Sequence, residues 1–115
     1  MPQTGLGGFA ERMRKMPELI IVYWRDIPAQ VIVKSSRTTA KRQLADRFQE
    51  AIDMAAMRSG AHESDAYMAE WRRGEPEACG DDCEAEADAA QARLEAYYDD
   101  ARLEMLITAG GHDNG

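Results

Sequence analysis

Residues 19–24 read Leu-Ile-Ile-Val-Tyr-Trp, six apolar side chains without a break. The run is short, rich in β-branched and aromatic residues, and bounded by Pro17 on one side and Asp26-Ile27-Pro28 on the other. A buried helix needs about ten residues or more, so length and composition make this a strand. Without alternation it must be buried on both faces, which places it inside a sheet rather than at an edge. A second run, Val31-Ile32-Val33, follows at once. Pro28 fixes its own φ and donates no hydrogen bond, so it is expected in the connection and not in a ladder. The five residues 26–30 suit a β-hairpin. Two antiparallel strands are expected, over 18–25 and 30–36.

The chain of 115 residues is the size of one domain, with 44% apolar and 30% charged residues, as in an ordinary soluble protein. No apolar run approaches the ~18 residues of a membrane span. Arg12, Arg14 and Lys15 are followed by Pro17 and a strand, not by a signal-peptide core, so a cytoplasmic location is expected. Residues 1–15 read as a flexible extension, 16–109 as the domain and 110–115 as a disordered tail.

Beyond the hairpin, Leu44, Phe48, Ala51, Ile52 and Ala55 form one apolar helical face. They predict a helix over 39–58, capped by Thr38 or Thr39 and stopped by Ser59-Gly60. Period-two alternation from Tyr67 to Arg72 predicts a third strand over 66–73. Asp81-Asp82 opens a second helix whose early acidic residues suit the positive end of the helix dipole. Leu94, Tyr97, Ala101 and Met105 give it an apolar stripe, and Gly110-Gly111 ends it near residue 108. Met54, Met57 and Met68 read as core filler, although methionine also suits adaptable interfaces. The fold class is therefore α+β: a small three-stranded antiparallel sheet with two helices on one face, in the order β-β-α-β-α.

Three groups can carry chemistry. Trp24-Arg25-Asp26 ends the central strand and Trp71-Arg72-Arg73 ends the third. If the strands are neighbours, the tryptophans and arginines form a platform for a flat or anionic ligand. Equally, the indoles can be core and the arginines can cover the rim. Arg37, Lys41, Arg42 and Arg47 belong to a basic middle, residues 25–47, with six basic residues against two acidic. A helix start there can hold phosphate, or the residues can form a solvated face. Cys79 and Cys83 precede a helix and are weak metal candidates. Zinc or a cluster wants about four ligands, and the surrounding carboxylates raise thiol pKa values. Residues 75–105 hold eleven acidic residues against two basic. These segments can attract each other within the fold, pair between subunits of a homo-oligomer or meet a basic partner. The net charge of −7 repels nucleic acid. No nucleophile–base pair or phosphate loop is present, and Gly5-x-Gly7-Gly8 lacks the strand–helix context of a dinucleotide site.

The stretch Pro17-Glu-Leu-Ile-Ile-Val-Tyr-Trp-Arg-Asp-Ile-Pro-Ala-Gln-Val31, with the later Asp65-Ala-Tyr-Met-Ala-Glu-Trp-Arg-Arg73, resembles the small bacterial "virulence factor" domain family. The resemblance covers roughly residues 16–105. In longer relatives it implies company with an iron–sulfur-scaffold-like module and helical repeats. In stand-alone relatives it implies proximity to folate and corrinoid one-carbon genes. It brings no catalytic residues and no cofactor. The expected function is a non-catalytic accessory module that binds another protein, an enzyme of one-carbon or iron–sulfur metabolism. The alternative is a domain that binds a folate- or nucleotide-like anion, or acts on it, through Trp24, Arg25, Arg37, Lys41, Arg42 and Trp71, with Asp26 and Arg72 beside them.

Overall fold

The computed structural model describes residues 17–113, so the extension expected over 1–15 lies outside the described residues. The apolar run is β1 (Glu18–Trp24), and it lies inside an antiparallel sheet as expected, although Ile21, Val22 and Tyr23 are only half-buried rather than covered on both faces. On one side β1 pairs with β2 (Ile27–Lys34), which in turn pairs with β3 (Thr39–Gln43). On its other side it meets two short strands, β4 (Trp71–Arg73) and β5 (Glu77–Ala78). The expected class holds, but the sheet has five strands among the described residues rather than three.

The hairpin is tighter than expected. Arg25 and Asp26 alone connect β1 to β2, and Arg25 takes a φ of 55°. Pro28 is not in the turn. It is a fully buried residue of β2 opposite Tyr23, at a shift of register where Val22 faces Gln30 and Tyr23 faces Pro28. A bulge is one of the few ladder positions that tolerates a missing N–H.

Residues 39–43, expected as the start of a helix, are strand. Ser35 Oγ accepts from the N–H groups of Arg37 and Thr38 and reverses the chain there. Ala40 then enters the core opposite Val33, while Thr39 and Lys41 stay exposed. Pairing with β2 overrides local helix preference, so neither threonine caps a helix. The helix itself, α1 (Asp46–Ser59), buries Phe48, Ala51, Ile52 and Ala55 as their spacing predicts. It stops at Gly60, whose φ of 78° lets its N–H reach the carbonyls of Ala56 and Met57.

The third strand is half right. Ser64–Ala69 is a short helix, α2, and only Trp71–Arg73 is strand. The second predicted helix is two, α3 (Cys83–Tyr97) and α4 (Asp100–Thr108). Asp82 caps the first where the acidic pair predicts, accepting from Ala85 N–H. Asp99 caps the second, accepting from Arg102 N–H, and so interrupts the run. The predicted stripe is broken with it: Leu94 is buried, whereas Tyr97, Ala101 and Met105 are exposed. Leu94, Leu103 and Leu106 share one core with Phe48, Ile52, Leu19, Val31 and Val33. Among the described residues no helix is long and apolar enough to cross a membrane.

Residues 110–113 do not hang free as a tail. Gly110 and Gly111 are buried, and Gly111 O accepts from Asp26 N–H at 2.8 Å. Gly111 has a φ of 95°, and a Cβ there would lie 3.0 Å from the Trp24 ring. Gly111→Ala is therefore expected to destabilise the fold by about 1–3 kcal/mol. Urea denaturation with an unchanged m value would measure it.

Candidate functional site

The sequence-predicted residues separate into two places. Trp24, Arg25, Asp26, Trp71 and Arg72 come together, because β4 lies beside β1 with Trp71 directly opposite Trp24. Arg37, Lys41 and Arg42 lie in and around β3, at the other edge of the sheet. The β3 pairing moves the helix start from residue 39 to Asp46, and the N–H of Ala45 just before it already donates to Glu95 Oε2 at 2.9 Å.

Trp24 is fully buried. Its Nε1 donates to Tyr67 O at 2.9 Å, and its ring lies 5.8 Å from that of Tyr67, which in turn meets Trp71 edge-on at 5.9 Å. Neither indole offers a free stacking platform at the centre of the cluster. Arg25 folds back over Trp24, with Cζ 4.9 Å from the ring centroid, and its side chain is only 14% exposed. Nη1 donates to Gly110 O at 2.7 Å, and Nε sits 3.3 Å from Glu70 Oε1, an ion pair without hydrogen-bond geometry. Its backbone N–H donates to Glu70 O at 3.1 Å. One residue thus ties the hairpin turn to the end of α2 and to the segment after α4.

Asp26 completes the latch. One carboxylate oxygen accepts from Arg72 Nη2 at 3.0 Å, and the other accepts from Asp113 N–H at 2.7 Å. Arg72 also donates from Nε to Arg25 O at 2.9 Å and lies 4.5 Å above the Tyr23 ring. Beside them runs an open groove of about 510 Å³ lined by Tyr23, Asp26, Arg72, Gly74, Glu75, Tyr98 and Asp113. Three carboxylates against one guanidinium make this groove a poor host for a phosphate or a folate carboxylate.

At the other edge Arg42 donates to Glu84 and, at 2.7 Å, to Asp88. Arg47 reaches the carbonyls of Glu95 and Tyr98, both at 2.7 Å. The acidic helix and the basic middle therefore attract each other within one chain. Arg37 and Lys41 are exposed. Cys83 is buried, with Thr38 Oγ1 3.6 Å from its sulfur. Burial pushes the Cys79 thiol up, and Glu86, Cys83, Asp81 and Glu18 push it further. Among the described residues no group of three or more His, Cys, Asp or Glu is placed to hold a metal ion.

Sequence reasoning missed Glu70, Tyr98 and the pair Gly110-Gly111 as parts of these networks. Gly110-Gly111 carried a signal, since adjacent glycines permit close backbone approach as well as termination. The others depend on long-range placement and leave none.

Fold and clamp together define a small α+β domain built on a five-stranded antiparallel sheet and closed by an Arg–Trp latch. A family model described as Virulence factor matches residues 22–107, and the chain belongs to that family. No curated protein and no solved structure matches it.

Removing Arg25 leaves Gly110 O and Glu70 without their cation. Arg25→Ala is expected to lose about 1–3 kcal/mol, whereas exposed Lys41→Ala should stay within about 0.5 kcal/mol; chemical denaturation of both variants distinguishes them. Tyr98 provides a pH test. Burial, more than its neighbours Tyr23, Tyr97 and Asp113, pushes its hydroxyl from 10.0 up to about 12. The unfolded chain ionises first, so stability present below the ordinary value is lost as pH rises from 10.0 towards about 12. Melting curves across that window should fall less steeply for Tyr98→Phe than for the wild type.

Proposed function

We propose that this domain is a non-catalytic accessory module that binds a partner protein through its helical surface. One observation carries the reading: among the described residues the large apolar side chains left in solvent all lie on helices. They are Met54, Met57, Met68, Tyr97 and Met105, each more than half exposed. Four of the five are methionines, unbranched and adaptable side chains that suit a contact surface. The charged residues speak the same way. Arg25, Arg42, Arg47 and Arg72 each have acidic or carbonyl partners inside the fold, and the exposed Arg37 and Lys41 lie at the far edge of the sheet from the tryptophans, so the cations that a ligand-binding reading needs are not gathered at one site.

The family resemblance directs attention to an enzyme of one-carbon or iron–sulfur metabolism as the partner. The second reading, an anionic ligand at the Trp–Arg cluster, gains no support from a groove whose lining is mainly acidic.

Affinity purification of the tagged chain from its native cell at moderate salt tests the reading. A stoichiometric protein that is retained by the wild type and lost with a Met57→Glu, Met105→Glu variant is expected. Recovery of the bait alone, from cells that express it at native level, would contradict it.

A further inference from the structure

The outer side of α1 presents Glu50, Met54 and Met57, spaced four and three residues apart and so aligned on one face. Met54 is 55% and Met57 68% exposed. Beside Met57 a cleft of about 270 Å³ opens, lined by Asp53, Ala56, Met57, His62 and Tyr67. Its floor is firm. Tyr67 Oη accepts from Gln49 Nε2 at 3.1 Å, its ring packs on buried Trp24, and Ala56 belongs to the core. Met57 borders this floor and Met54 stands about one turn back on the outer face of α1, so two flexible thioether chains are placed to grip an irregular apolar ridge.

The charges around this cleft are of one sign. Glu50 and Asp53 on α1, and Glu63 and Asp65 at the start of α2, are all exposed. The one guanidinium on this part of α1, Arg58, donates to Thr108 O and so reaches towards α4. An apolar strip with an acidic border fits a helix that carries apolar residues on one face and lysine or arginine along its flanks.

We propose that the outer face of α1, with the α1–α2 cleft beside it, docks a basic amphipathic helix of a partner protein, its apolar face on Met54 and Met57 and its cations against Glu50, Asp53, Glu63 and Asp65. This assignment rests on the interaction reading above and names the chemistry of the partner. Docking of this kind is driven by apolar burial and steered by charge, so it weakens both on loss of the methionines and on addition of salt.

Isothermal titration of the full chain with two synthetic helical peptides tests it. One peptide has leucine on one face and lysine on the other; its counterpart carries glutamate in place of lysine. The expected result is one-to-one binding of the lysine peptide, weakened about tenfold or more in Met54→Ser, Met57→Ser, and no binding of the glutamate peptide. Both positions are exposed, so the double variant should melt with the wild type, and its melting curve verifies the fold. Equal affinity for wild type and double variant, or no binding to the wild type, would overturn the proposal. A copurifying native partner whose cross-links avoid Met57 would overturn this assignment alone and leave the interaction reading in place.

Discussion

The fold depends on a two-residue turn in which Arg25, a residue with a side chain, takes the left-handed backbone conformation. That geometry costs an ordinary residue roughly 1–2 kcal/mol. It is offset by what the turn achieves. The guanidinium is aimed back over Trp24 and onto Gly110 O, and the backbone N–H of Arg25 meets Glu70 O. The adjacent Asp26 meets Gly111 O through its N–H and Arg72 through its carboxylate. Three segments far apart in sequence (the hairpin, the end of α2 and the residues after α4) close on one another at this point. Trp24, fully buried beneath the guanidinium, supplies the apolar mass that makes the closure hold.

The same residues that suggest a ligand platform in the sequence are thus the interior of a latch. A cation over an indole is chemically the same object in both roles; what decides is whether the cation has a vacancy. Here Arg25 donates from Nη1 to Gly110 O and holds Glu70 only as an ion pair, its buried Nε making no hydrogen bond, while Arg72 donates to Arg25 O and Asp26. The charge polarity of the chain is resolved in a similar way, since Arg42 and Arg47 bind α3 and the start of α4 directly. What remains unresolved within the chain is apolar: methionines on α1, α2 and α4 that no described element covers. Function is accordingly read from the helical surface and not from the arginines.

Much of the fold was legible where local chemistry and tertiary placement agree. The run Leu19–Trp24 could only be an inner strand, Gly60 could end a helix, and Asp82 could start one. Illegible parts are those decided by partners distant in sequence. Thr39–Gln43 carries helix-favouring Ala40, Lys41, Arg42 and Gln43 and becomes strand because β2 offers an open edge. Pro28 enters a ladder because a bulge at Tyr23 accepts it. Asp99 carried a visible capping signal that the long alanine-rich run outweighed. The adjacency of Trp24 and Trp71 was open in the sequence, which does not set the order of the strands, and its consequence, a buried Trp24 with Trp71 half-buried beside it, was not legible there either. The methionines were misjudged for a physical reason: spacing identifies one face of a helix, yet it does not say which faces find a neighbour.

Amide hydrogen exchange at Asp26 tests the latch most directly, because its N–H joins the turn to the segment after α4 through Gly111 O. Protection approaching that of the central β1 and β2 amides is predicted, since opening that bond should require the same unfolding that exposes the core. Exchange at the rate of an unstructured loop would mean that Gly110–Asp113 is not held against the turn. Arg25, Asp26 and Arg72 would then be free to receive a ligand, contrary to the account.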